Sequence, residues 1–68
     1  METIISSLTD KAALSIGEFC AKHGISRATF YILRKEGRGP LEMKVGARRL
    51  ISIEAAAAWR RRMEGEAA

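Results

Sequence analysis

The chain has 68 residues, 47% of them hydrophobic and 29% charged, with 12 Lys and Arg against 8 Asp and Glu for a net charge of +4. That length allows one domain with a small core, which argues against a deep enzyme cleft, and the composition excludes disorder of the low-hydrophobicity, single-sign kind. A single cysteine, Cys20, excludes an internal disulfide, and with a single histidine, His23, there is no complete set of zinc ligands.

The charge is unevenly placed. Residues 15 to 49 carry eight Lys and Arg against three Glu, whereas the remainder carries four against five. A basic excess of this kind in a small domain points to a polyanionic partner, because counterion release drives such binding whatever the sequence of the nucleic acid. The competing view is a solvated basic surface. No apolar run approaches the length of a signal-peptide core or a membrane span, so a cytoplasmic chain with no membrane partner is expected.

Residues 1 to 14 read as an N-terminal arm in which Thr3-Ile4-Ile5 favours a short strand and the Ser and Thr that follow end it. From Ser15 the signals sharpen. Ser15 and Glu18 form an S-x-x-E capping box and Gly24 supplies a left-handed stop, predicting a helix from Ile16 to about His23. Ile16, Phe19 and Cys20 share one face of it by i, i+3, i+4 spacing, and that face is assigned to the core.

Gly24-Ile25 then makes a tight connection, Ser26 caps a second helix and Gly37 ends it, which predicts helix from Arg27 to about Glu36. Phe30 and Leu33, with Ile25 beneath them, tie this helix across the first, leaving Arg27, Ala28, Tyr31, Ile32 and Lys35 on the opposite face. Gly39-Pro40 is a break, Leu41 to Val45 alternates with period two, Gly46-Ala47-Arg48 turns, and Arg49 to Ser52 returns, so a hairpin is expected. Ser52 or Glu54 opens a last helix with Ala56, Trp59 and Met63 on one side, and residues 65 to 68 are expected to fray. The organisation is thus an arm over 1–14, a folded domain over 15–64 and a tail over 65–68.

Two short helices joined by a tight Gly-containing turn, the second amphipathic and basic on its outer face, match a helix-turn-helix. A major groove about 12 Å wide admits one helix, so the first must brace the second at a steep angle. Base edges are read from the N-terminal end of that second helix, which makes Arg27 the leading candidate, since its planar fork bonds guanine bidentately. Ser26 and the first free N–H groups suit a phosphate, and Ala28 lies beside them. Tyr31 suits a phosphate or the groove wall, Lys35 continues the stripe one turn on with Arg34 next to it, and Ile32 suits a thymine methyl.

Each of these has a plainer reading. Tyr31 and Ile32 fit a core or a protein contact surface, and Arg34 and Lys35 fit solvated charge. The hairpin tip, Arg48 and Arg49 with Lys44 at its base, would project cations toward a minor groove or backbone, or simply into solvent. At least two of Arg60, Arg61 and Arg62 are assigned to favourable electrostatics at the C-terminus of the last helix. Cys20 and His23 lie three apart on the first helix, but no third ligand or orienting group follows, so no catalytic site, metal or cofactor is expected.

The order of a capped helix, a G-I-S-R-x-T-F-Y helix, an E-G-R-G-P break, a K-V-G-A-R-R-L-I-S hairpin and a terminal A-A-W helix resembles the excisionase and AlpA-type regulators of the MerR-like winged helix-turn-helix superfamily. The resemblance covers residues 15 to 63. It implies a mainly α fold with a small β-hairpin wing, the second helix in the major groove and the wing in the minor groove, and by matched positions it implicates Arg27, Tyr31 and Lys35, then Arg48 and Arg49. Two positions depart from the pattern: Ile32 stands where the families often have a basic residue, and Ile51-Ser52 replaces an aromatic near the end of the hairpin.

Excisionase-type proteins bind as several copies on repeated sites, bend DNA and turn an integrase toward excision, while AlpA-type relatives regulate transcription. The resemblance therefore implies a non-enzymatic DNA-binding protein of a bacterial or phage mobile element. Its expected partners are double-stranded DNA, an integrase or other recombinase, and adjacent copies of itself, with residues 1 to 14 as the expected contact between copies. The alternative, from another class, is a protein-interaction module such as a small anti-activator or antitoxin that holds its partner through Tyr31, Ile32 and the arm.

Overall fold

A computed structural model describes residues 11 to 67. The elements run β1 (Ala13–Ser15), α1 (Ile16–His23), α2 (Arg27–Lys35), β2 (Met43–Val45), β3 (Arg48–Ser52) and α3 (Ile53–Ala67). Three helices thus pack with one antiparallel sheet of strand order β1-β3-β2. The expected mainly α chain with a hairpin is present in that coarse form.

The local signals act as their chemistry requires. Ser15 Oγ accepts from the Glu18 N–H at 3.1 Å while the Ser15 N–H donates to Glu18 Oε1 at 2.9 Å, completing the capping box of α1. Ser26 Oγ accepts from the Thr29 N–H at 3.0 Å and starts α2. Gly24 and Gly37 hold φ of 67° and 75°, the left-handed region in which a Cβ is costly, and so close α1 and α2. At α3, Ser52 Oγ accepts from the Ala55 N–H at 2.9 Å, which places the start at Ile53.

Three expectations change. The strand expected at Thr3–Ile5 lies outside the described residues, whereas Ala13 and Leu14, assigned to the arm, form β1 together with Ser15. Leu14 stands opposite Ile51 in the β1–β3 register, and both are buried, so the folded unit begins before Ser15. Residues 65 to 67, assigned to a tail, continue α3, where the Glu66 carboxylate pairs with Arg38. Arg60, Arg61 and Arg62 consequently lie in the middle of a helix and not at its C-terminus, so the dipole reading does not apply to them.

The core is Leu14, Phe19, Cys20, Phe30, Ile51, Ala56 and Trp59, with Ile16, Ile25, Leu33 and Met63 packed against it. Phe19 is its centre: the Phe30 and Trp59 rings meet it edge-on at 5.7 and 5.1 Å, and the His23 ring stacks at 4.2 Å. Ile51 is fully buried.

α3 also fastens the loop between α2 and β2. The Trp59 indole N–H donates to the Arg38 carbonyl, and Arg62 Nη2 donates to the Gly39 carbonyl, each at 2.9 Å. This sets where the hairpin emerges relative to α2. Among the described residues no helix is long and apolar enough to cross a membrane.

Candidate nucleic-acid interface

α2 is nine residues long and has two distinct faces. Phe30 is fully buried and Leu33 half-buried, whereas Arg27, Ala28, Tyr31, Ile32 and Lys35 are exposed. The reading of Tyr31 and Ile32 as core is thereby overturned: they are 43% and 57% exposed. Tyr31 stands edge-on to Phe30 at 5.6 Å, a contact between the exposed ring and the buried one.

The basic residues of the region divide by partner. Ion pairs among the described residues involve Lys11, Arg34, Arg38 and Arg49. Arg27, Lys35, Lys44 and Arg48 therefore have no carboxylate partner among the described residues, and all four are exposed.

Arg34 differs from the other cations of the expected site. Its Nε and Nη2 donate to the two oxygens of Glu42 at 3.0 and 2.9 Å, and its guanidinium also lies over the rings of Phe30 and Tyr31 at 5.4 and 5.0 Å. The Glu42 carboxylate pushes the Arg34 pKa up, so this fork stays charged and occupied. Arg34 joins the end of α2 to the segment entering β2, a role that charge spacing alone does not reveal.

Ser26 is also engaged. Besides capping α2, its hydroxyl donates to Thr29 Oγ1 at 3.0 Å, so both its functions are used within the helix start.

The hairpin presents its cations at fixed register. Lys44 faces Arg49 and Val45 faces Arg48, with Gly46-Ala47 as the turn. Arg48 belongs to β3 and not to the turn. Like charges directly opposite on two strands repel, and the nearest carboxylate, Glu42 Oε1, stands 4.0 Å from Arg49 Nη1. A tip that keeps such a pair is suited to an external anion. Beside it Leu41, Met43 and Val45 are exposed at 76%, 41% and 54%, an apolar content that the alternating pattern of the sequence does not reveal.

Cys20 and His23 serve packing. Burial pushes the Cys20 thiol up, against a smaller opposing effect of the Arg27 charge, which leaves it a neutral core group. The His23 Nδ1–H donates to the Phe19 carbonyl at 2.8 Å, so Nε2 carries the lone pair that accepts from Arg60 Nη1 at 3.0 Å. Arg60, His23, Lys22 and Lys11 line a groove together with Leu14, Ile53 and Ala56, a second basic surface assembled from three separate segments.

Comparison with protein-family models, with curated proteins and with solved structures returned no match. What the site can do is therefore read from its geometry.

Proposed function

We propose that this chain is a small double-stranded DNA-binding protein of the winged helix-turn-helix kind, with α2 in the major groove and the β2–β3 hairpin as the wing. One observation carries this reading: Phe30 and Leu33 anchor α2 from beneath while Arg27, Tyr31, Ile32 and Lys35 stand exposed, and neither Arg27 nor Lys35 has an acidic partner among the described residues. Exposed cations on the outer face of a nine-residue helix fit a groove about 12 Å wide.

In this arrangement Arg27, the first residue of α2, reads a guanine edge, Ala28 and Ile32 approach a thymine methyl, and Tyr31 and Lys35 follow the backbone. Lys44, Arg48 and Arg49 lie against the adjacent minor groove or its phosphates. A unit this small makes few phosphate contacts, so adjacent copies on repeated sites would supply usable affinity. The output consistent with the sequence resemblance is control of a mobile element, either by turning an integrase toward excision or by regulating transcription.

Exposed Leu41, Ile32 and Val45 favour a second reading, a protein-interaction module without DNA binding. Salt dependence separates the two, because release of counterions is specific to the polyanion.

The experiment is selection of a preferred duplex from a random pool, followed by binding of the wild type and Arg27→Ala to that duplex, to its single base-pair variants and to random DNA. Arg27→Ala is expected to lose about 1 to 3 kcal/mol of discrimination at one base pair. Equal losses on selected and random DNA would contradict the placement of α2, and no DNA binding together with salt-insensitive binding of a protein would favour the second reading.

A further inference from the structure

Gly17, in the first turn of α1, lies directly under the head of Arg27. A Cβ placed on Gly17 would stand 2.5 Å from Arg27 Nη2 and 3.4 Å from its Cζ, so the guanidinium rests where an alanine methyl would be. The backbone does not demand glycine here: the positive-φ glycines of the described chain are Gly24, Gly37 and Gly46. Within a helix glycine is also less favourable than alanine. What remains to explain Gly17 is the space it leaves for Arg27.

Among the described residues packing, and not a hydrogen bond, holds that head. The arginine side-chain hydrogen bonds there belong to Arg34, Arg38, Arg60 and Arg62, and none of them engages the donors of Arg27. A long side chain ordinarily loses rotamer freedom when it binds, and a chain already held in place loses less.

Resting on the DNA-reading role of Arg27 set out above, we infer that Gly17 is a positioning residue: the bare α1 backbone at Gly17 seats the Arg27 guanidinium and pre-organises it for base readout. Gly17→Ala removes the seat without removing any charge. The group displaced is the far end of a flexible side chain, so the fold is retained.

The test combines Gly17→Ala, Arg27→Ala and the double variant, each with thermal melting, binding to the selected duplex and to random DNA, and NMR relaxation of Arg27 Nε where that residue is present. Gly17→Ala is expected to melt no lower than the wild type, to show a more mobile Arg27 Nε, and to bind the selected duplex about two- to tenfold more weakly with random-DNA affinity unchanged, the scale of ordering one long side chain. In the Arg27→Ala background the Gly17→Ala change is expected to have no effect on binding. Unchanged specific affinity despite a mobilised Arg27, a lowered melting temperature, or an equal loss with and without Arg27 would each overturn the inference. A wild type that prefers no duplex would instead overturn the DNA reading, and this inference with it.

Discussion

The indole N–H of Trp59 donates to the Arg38 carbonyl across 2.9 Å, tying the middle of α3 to the loop that leads from α2 to the hairpin. The same indole forms one wall of the Phe19 cluster, so a single side chain serves both the core and the placement of α2 and the hairpin. Trp59→Phe keeps most of the ring contact but leaves the carbonyl to solvent, and is expected to cost about 1 kcal/mol. Trp59→Ala is expected to cost about 3 to 5 kcal/mol, a large part of the roughly 3 to 10 kcal/mol that a domain of this length commands. Urea denaturation followed by circular dichroism measures both; a Trp59→Phe midpoint equal to that of the wild type would show that the hydrogen bond contributes nothing.

Glu18 predicts an acid-side dependence of stability. Its carboxylate receives the Lys11 ammonium and the Ser15 N–H, and these lower its pKa from 4.5 to about 2. Because the folded value lies below the unfolded one, the ionised form favours folding: the contribution is complete above about pH 4.5 and is lost as pH falls toward 2. The group is exposed, so the effect is small. Melting temperatures of the wild type and Glu18→Gln from pH 7 to pH 2 are expected to converge as pH falls below 4.5. Parallel curves would mean that the capping box gains nothing from the charge.

Glu42 is the counter-charge shared by Arg34 and, at longer range, Arg49. Glu42→Gln leaves Arg34 without its counter-charge and leaves Lys44 and Arg49 opposed with no carboxylate nearby among the described residues. The stability loss is expected to be about 1 to 2 kcal/mol, because the Arg34 side chain is 39% exposed but that of Glu42 only 9%, so solvent screens the bidentate pair only in part. The effect on DNA is expected to be opposite in sign: affinity at low salt rises, and the slope of log K against log salt steepens by about 0.9 for each additional phosphate neutralised. An unchanged slope with weaker binding would show that Glu42 acts by placing the hairpin, not by restraining Arg34.

Much of the architecture was legible because its causes are local. The S-x-x-E box at Ser15 and Glu18, the left-handed stops at Gly24 and Gly37, and the hydroxyl of Ser26 each act on backbone groups a few residues away, so the letters alone place the starts and ends of α1 and α2, whereas the end of α3 has no such signal. The inward spacing of Ile25, Phe30 and Leu33 likewise identified the buried side of α2, and with it the residues left outside. For the site, this was enough to put Arg27, Tyr31 and Lys35 on the face opposite the anchors, while a buried place for Tyr31 stayed open until the structure showed it exposed.

Tertiary structure alone decided the partners. Ala13–Ser15 is too short for a periodic signal, and it becomes a strand only because β3 offers the matching edge, with Leu14 against Ile51. A sequence shows that Arg34 and Arg60 are positive, but a long side chain takes whichever acceptor the fold brings within reach: Glu42 for the first, the bare nitrogen of His23 for the second. Gly17 is the clearest case, since nothing in its neighbours along the chain announces Arg27. Short-range hydrogen bonds and periodicity are written in adjacent residues, whereas pairing between distant segments exists only once the core has closed and set the distances between them.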